Sequence, residues 1–364
     1  IRPDALIENK LGRNLEYKKR ILNWKRQNIK IILIENEGIN QFSESQKKVS
    51  YKPEFAFFWN KNHGHIMNEH FDSEIIGSPR TDFLLKKFSS FFKNKSQIIN
   101  DLNLNPKLKT ISIAMHNSYE DLPKEKLEQM GKTRKFIYEE KFTFLDLVEH
   151  QRKTRESLLN FVEKIVKKNL QYNIVLKPHP NDDINYWKKY QKENPQIKLM
   201  IGSPINDLFC VSDLHIGKSG CSTIPESYIY GLPNIEFTPN DKYSELVLSK
   251  NHVNLALFNI SNFENLKYNF EDIINYNIPQ EIIENQKIKM KKYIENYFHI
   301  VDGNRCLQYA NKIHHILKKK QDISVLNEFI GNIFKLINFF KDFINKYVRK
   351  FFNKYYTPTL IDKR

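Results

Sequence analysis

The residues of this chain that could do chemistry gather where an apolar run gives way to a polar turn. Leu176-Lys177-Pro178-His179-Pro180 ends one such run with a lysine and a histidine set among prolines. A proline disfavours the helical region for the residue before it, so Pro180 holds His179 extended as the chain leaves its strand. An imidazole and an ammonium fixed there suit an anionic phosphate oxygen. A rigid turn carrying an incidental histidine is the plainer alternative. Gly217-Lys218-Ser219-Gly220-Cys221-Ser222-Thr223-Ile224-Pro225-Glu226 follows a second run and opens a helix that ends near Gly231. Ser222 or Thr223 fits the N-cap and Pro225 the first turn. Glycines such as Gly220 let backbone amides approach a ligand, and a helix start adds partial positive charge. The segment therefore suits a phosphate, although the spacing of a Walker loop is absent. An ordinary capped helix after a glycine turn would look the same. Lys177 and His179, leaving an earlier strand of the same sheet, favour the cradle. Glu226 either accepts hydrogen bonds from ribose hydroxyls or complements the helix dipole.

The first hundred residues hold two further candidates. Glu35-Asn36-Glu37-Gly38 closes an apolar run with two carboxylates and a glycine turn. One carboxylate could take the proton of an attacking hydroxyl; the alternative is a solvated turn. In Gly77-Ser78-Pro79-Arg80-Thr81-Asp82, Arg80 could meet a phosphate, or Asp82 could cap a helix beginning at Phe83. Neither an Asp-x-Asp triad nor a His-Glu-x-x-His motif occurs, so no metal ligand set is assigned. A departing nucleoside monophosphate carries few charges, and a histidine, a lysine and a helix start could suffice for it.

Such residues need strands to hold them. Lys30 to Ile34 is a continuous branched run, the pattern of a strand buried on both faces of a parallel sheet. Tyr51 to Trp59 and Ser73 to Gly77 read as further strands, and Ala5 to Ile7 as one near the start. Beyond a polar, Asn- and Lys-rich stretch between Phe91 and Thr110 the pattern resumes. Strands are expected at Thr110 to Met115, Asn173 to Leu176, Lys198 to Ile201, Asp213 to Ile216 and Asn234 to Phe237, with a long helix from Phe144 to Asn169. Alternating strands and helices predict doubly wound α/β sheets. Ile1 stands in place of methionine, and the strand pattern begins at once. An upstream piece is therefore expected, with a first domain that is incomplete here.

A length of 364 residues suffices for two domains. The formal charge of +16 favours an anionic partner. Three cysteines make no disulfide framework, so a reducing compartment is expected. No apolar run approaches the ~20 residues of a membrane span. From Phe329 to Tyr356 the pattern changes. Phe329, Ile333, Leu336, Ile337, Phe340, Ile344, Tyr347 and Phe351 trace one helix face among interleaved lysines and arginine. As one helix the stretch would be about 42 Å long. Its composition suits the plane of an anionic bilayer; packing on the first domain is the alternative.

Taken in order, these segments resemble those of bacterial surface-carbohydrate transferases. An acidic pair closed by glycine, a His-Pro pair and a later Ser-Ser or Ser-Thr pair mark certain sialyltransferases and Kdo transferases. Here they stand as Glu35-Asn36-Glu37-Gly38, His179-Pro180 and Ser222-Thr223. Gly77 to Asp82 and Lys177 to Pro180 also resemble segments of CDP-glycerol glycerophosphotransferases. The resemblance spans roughly Lys30 to Pro239 and departs from the family where Asn36 separates the two carboxylates. It implies the GT-B architecture, with an acceptor domain over 1–105, a nucleotide-sugar domain over 106–320 and a basic tail over 321–364. Glu37 would be the general base and His179 the ligand of the donor phosphate. Glu35, Gly38, Lys177, Pro180, Gly220, Ser222, Thr223 and Glu226 would contact the donor. The implied reaction moves a Kdo-like or nonulosonic sugar from a CMP-sugar to a polysaccharide or lipid-linked glycan, without a further cofactor or nucleic acid. Phosphotransfer from CDP-glycerol or a related polyol is the alternative. The implied location is cytoplasmic, at the inner face of the cell membrane through the tail.

Overall fold

A computed structural model describes residues 3, 5–8, 15–27, 29–35, 53–61, 72–114, 119, 122–133, 143–167, 171–180, 182–241, 244–245 and 254–318. Glu37, Gly38 and the aromatic stripe from Phe329 to Tyr356 lie outside the described residues. The chain runs β1 (Ala5–Glu8), α1 (Leu15–Arg26), β2 (Lys30–Ile34), β3 (Phe55–Phe58) and β4 (Ser73–Ile75). It continues through α2 (Lys95–Leu102), β5 (Lys109–Ala114), α3 (Lys124–Thr133), α4 (Phe144–Lys167), β6 (Tyr172–Lys177), α5 (Ile184–Glu193) and β7 (Ile197–Leu199). Then come α6 (Ile205–Val211), β8 (Leu214–Lys218), α7 (Thr223–Tyr230), β9 (Asn234–Phe237), β10 (Phe258–Ile260), α8 (Phe270–Ile274), α9 (Gln280–Tyr297) and α10 (Arg305–Lys318).

The first sheet has the order β1-β2-β3-β4, all parallel. Its central strands β2 and β3 are buried on both sides, as their unbroken apolar runs require. Ile31, Leu33, Ala56 and Phe58 pack with Ile21 of α1. Ile32, Ile34 and Phe57 face the other way and pack with Tyr309 of α10. Helix α10 therefore belongs to the first sheet in space, although it follows the second in sequence.

The second sheet has the order β10-β9-β8-β5-β6-β7, again all parallel. From β5 the chain winds outward through β6 and β7, then returns to β8 and winds the opposite way. β5 and β8 are thus the neighbours at which the winding reverses. In such sheets the connections leave opposite faces at that point and open a crevice beyond the strands' carboxyl ends. One face is covered by α4 and α5, through Leu158, Phe161, Val162, Ile165 and Trp187. The other is covered by α2 and α6, through Ile98, Leu208 and Val211. Among the described residues no helix is long and apolar enough to cross a membrane.

The crossing after β4 differs from expectation. Instead of an α-helix from Phe83, two 3-10 turns span Pro79–Leu84 and Lys86–Phe91. Asp82 caps no helix of its own. It is buried, and its carboxylate accepts the Cys306 amide at 2.7 Å, at the start of α10. Gly77, with φ of 95°, lets the Phe298 carbonyl approach where a Cβ would lie 2.7 Å away.

Candidate active site

Two turns meet at the crevice. Ala114, the last residue of β5, pairs with Lys177 of β6 on one side and Gly217 of β8 on the other. Neighbouring strands lie ~4.8 Å apart, so the exits of β6 and β8 are about 10 Å apart. His179 and the Gly220 turn thus leave the same sheet edge on either side of the end of β5.

The β6 exit is locked by its own backbone. The His179 amide donates to Asp182 Oδ2 at 3.0 Å, and the Asp182 amide returns to the His179 carbonyl at 2.9 Å. Burial, with Lys177 and Lys218 nearby, lowers the imidazole pKa to about 4. The ring is therefore neutral at pH 7, with one nitrogen donating and one accepting. Lys177 is itself lowered to about 8 by burial, an effect that Asp207 opposes, so it remains mostly cationic at pH 7. Its ammonium donates to the Ser203 carbonyl at 2.5 Å. Pro180 is exposed beyond the turn.

The β8 exit is built for close approach. Gly217 sits where a Cβ would lie 2.8 Å from Ile224 Cδ1 and 3.1 Å from Thr223 Oγ1, so glycine lets α7 start directly on the strand. Gly220 has φ of 72°, a left-handed conformation that glycine adopts freely. Among the described residues no acceptor meets the amide of Gly220 or Ser222. Ser222 does occupy the N-cap, but its hydroxyl does not cap the helix. The Thr223 hydroxyl is turned inward instead, 3.0 Å from His215 Nε2. The other nitrogen of His215 lies 3.0 Å from Ser112 Oγ. Burial alone lowers His215 to about 3, so this neutral ring joins β5, β8 and the start of α7. Thr223 thus supports the turn from beneath, where the sequence suggests a donor contact.

Glu226 lies in the first turn of α7 and is 3% exposed. Its Oε1 pairs with Arg80 at 2.8 Å, while its Oε2 is buried without a hydrogen-bond partner among the described residues. Burial raises its pKa; Arg80 and the Ser222 hydroxyl oppose the rise. Arg80, half exposed, comes from the crossing after β4 and meets this carboxylate where a phosphate contact is one expectation. Glu35 is also buried. Its Oε2 accepts the Trp59 amide at 2.7 Å and ties the end of β2 to that of β3.

The structure thus brings Lys177, His179, Gly220, Ser222 and Glu226 to one sheet edge. Lys218, near enough to depress His179, joins them without having been singled out by sequence; its place at a strand's last residue was the available signal. A buried pair, His150 Nδ1 to Asp241 Oδ2 at 2.6 Å, was likewise invisible, because its members come from α4 and the loop after β9. Among the described residues no group of three or more His, Cys, Asp or Glu could hold a metal ion.

Two parallel Rossmann-like sheets, with the last described helix packed on the first of them, define the GT-B class of fold. The wall teichoic acid polymerase TagF, in a structure soaked with CDPG, superposes with a TM-score of 0.50 at 15% identity, covering 87% of this chain and 72% of that one. S. aureus MnaA in its co-structure with UDP gives 0.47 at 13% identity, covering 87% and 77%. The UDP-GlcNAc 2-epimerase of Methanocaldococcus jannaschii gives 0.42 at 12%, covering 85% and 77%. At such identities the likeness is one of fold. No protein-family model and no curated protein matches the sequence.

Proposed function

We propose that this protein is a glycosyltransferase that moves a Kdo-like or nonulosonic sugar from a CMP-sugar to a surface polysaccharide or lipid-linked glycan. The observation that carries the proposal is the anion site at the winding reversal. There Lys177, Lys218, the neutral His179 ring and the amides of Gly220 and Ser222 converge on one edge. In the reaction an acceptor hydroxyl attacks the anomeric carbon and its proton passes to Glu37. The bond from that carbon to the phosphate oxygen breaks, and its electron pair leaves with CMP. The lysines, the His179 N–H and the helix start offset the added charge on the phosphate. Glu226 accepts from the ribose hydroxyls. The tail from Phe329 to Tyr356 holds the enzyme on anionic lipid at the inner face of the cell membrane, near its acceptor.

A thermal-stability series with CMP, UMP and GMP tests the nucleotide class, with a selective upward shift expected for CMP. Glu37→Gln should then abolish transfer while leaving CMP binding intact; full activity would refute the base assignment. A second reading, transfer of a polyol phosphate from CDP-glycerol, is favoured by the neutrality of His179. A neutral ring beside a phosphate can take the proton of a hydroxyl attacking phosphorus. Product mass separates the two, because the transferred group either carries phosphorus or does not.

A further inference from the structure

Glu226 poses a problem that its own helix does not solve. A carboxylate 3% exposed has one oxygen on Arg80 and the other buried without a partner among the described residues. Buried polar atoms are nearly always satisfied, and an ionised one left alone is costly. The Ser222 hydroxyl acts on this carboxyl and lowers its pKa, and a ligand's hydroxyl in the crevice would complete the second oxygen. Among the described residues the other groups around Glu226 supply no cation. Cys221 from the turn after β8 and Tyr293 from α9 sense its charge, as Tyr293 senses Glu236 of β9. Burial raises both Cys221 and Tyr293, which keeps them neutral through the physiological range. The charged partner of Glu226 among the described residues, Arg80, crosses from the other unit.

Arg80 is held to make that crossing. Pro79 restricts the backbone before it. The Ser78 amide donates to the Phe298 carbonyl at 3.3 Å, and the Thr81 hydroxyl to the Ser78 carbonyl at 2.7 Å. Asp82 is anchored on Cys306. The guanidinium thus leaves a turn fixed on both sides and is 49% exposed beside α7.

We propose that Arg80 is a positioning residue of the donor site: from the first unit it holds the Glu226 carboxylate so that the second oxygen accepts the ribose hydroxyls of the nucleotide. The inference rests on the cytidine-nucleotide reading of the crevice. It links the two units electrostatically, since the segment that leaves the first sheet sets the state of a donor ligand in the second.

Without Arg80 the buried carboxyl has lost its opposing cation, so its pKa rises further and it holds its proton to higher pH than in the wild type. A protonated oxygen donates where an acceptor is needed. Raising the pH restores the carboxylate and with it the contact. The test measures CMP and 2′-deoxy-CMP affinity from pH 6.5 to 8.5 for the wild type, Arg80→Met, Arg80→Lys, Glu226→Gln and the Arg80→Met/Glu226→Gln double variant. Arg80→Met should bind CMP about tenfold more weakly than wild type at pH 6.5, the worth of a charge-assisted hydrogen bond. That ratio should shrink toward pH 8.5, and the preference for CMP over 2′-deoxy-CMP should vanish and return in step. Arg80→Lys should fall between, and the double variant should be no worse than Glu226→Gln at any pH. A deficit in Arg80→Met that is constant with pH, or an unchanged preference for the ribose hydroxyl, would overturn the proposal. A wild type that binds none of CMP, UMP and GMP would overturn the nucleotide reading itself and this inference with it.

Discussion

Lys177 gives the sharpest prediction, because burial has brought its titration within reach of an ordinary assay. Its pKa lies at about 8, against an ordinary value of 10.5. The difference corresponds to about 3 kcal/mol of lost preference for the charged form. A phosphate in the crevice returns a favourable partner and pulls the pKa back up. Binding above pH 8 must then take up a proton. The sign follows: affinity for CMP is flat below about pH 8 and weakens as pH rises, by up to tenfold per unit. From pH 8 to 9.5 the loss should approach about fifteenfold if the bound phosphate restores the ordinary pKa. The nucleotide's own phosphate loses its second proton near pH ~6, so it adds nothing to this window. Isothermal titration of CMP at fixed ionic strength reads the slope directly, and buffers of different ionisation enthalpy read the proton. Lys177→Met removes the titrating group. It should bind more weakly at pH 7 and show no further loss up to pH 9.5. A wild-type affinity that stays constant to pH 9.5, or the same slope in Lys177→Met, would refute the placement of this ammonium on the phosphate.

Three further outcomes follow from the same geometry. His215 takes no proton until pH falls to about 3, whereas the unfolded chain takes one near its ordinary 6.5. Urea melts should therefore show about 2 kcal/mol lost between pH 7 and pH 5 from this group, and His215→Gln should lack that component. Gly217→Ala places a methyl 2.8 Å from Ile224 Cδ1, in a side chain that is 2% exposed, so the buried Ile224 side chain at the start of α7 must move. A stability loss of about 1–3 kcal/mol and weaker CMP binding are expected in melts and titrations. Asp82→Ala removes the acceptor of the Cys306 amide. Hydrogen exchange should rise in the first turn of α10, with about 1 kcal/mol of stability lost and a weaker CMP affinity, because the turn that carries Arg80 loses one of its anchors.

The strands were the most legible part of the sequence. Lys30 to Ile34 and Asn234 to Phe237 are strands over the spans expected. Both runs are apolar enough to be buried on two faces, which leaves helix and turn no competing claim. β10 went unrecognised because an edge strand of three residues, with Asn259 exposed at its centre, carries no periodic signal. The helix expected from Phe83 is two 3-10 turns, since the local pattern held no trace of the α10 amide that Asp82 serves. At the site, strand ends foretold the meeting of Lys177, His179 and Gly220, because topology fixes where parallel strands finish. The duties of Thr223 and Glu226 were less legible. The first depends on a histidine in the strand beneath it, and the second on an arginine from the other sheet. Pairings that distant leave no local spacing to read.

The crossing from Ile76 to Asp82 shows how the two sheets constrain each other. Arg305 donates to the Ile76 carbonyl at 2.7 Å, and the Tyr309 hydroxyl to the Gly77 carbonyl at 3.0 Å. The Ser78 amide meets Phe298, Arg80 meets Glu226, and Asp82 meets Cys306. Every one of these partners lies beyond residue 220, so one short segment of the first unit is fixed by α7, by the end of α9 and by α10. Displacing the segment would disturb the cap of α10 and the Glu226 ion pair together. Movement of the first sheet relative to α7 must therefore either carry this segment with α7 or break the Arg80 pair, and a nucleotide held by Glu226 favours the arrangement in which the pair is whole.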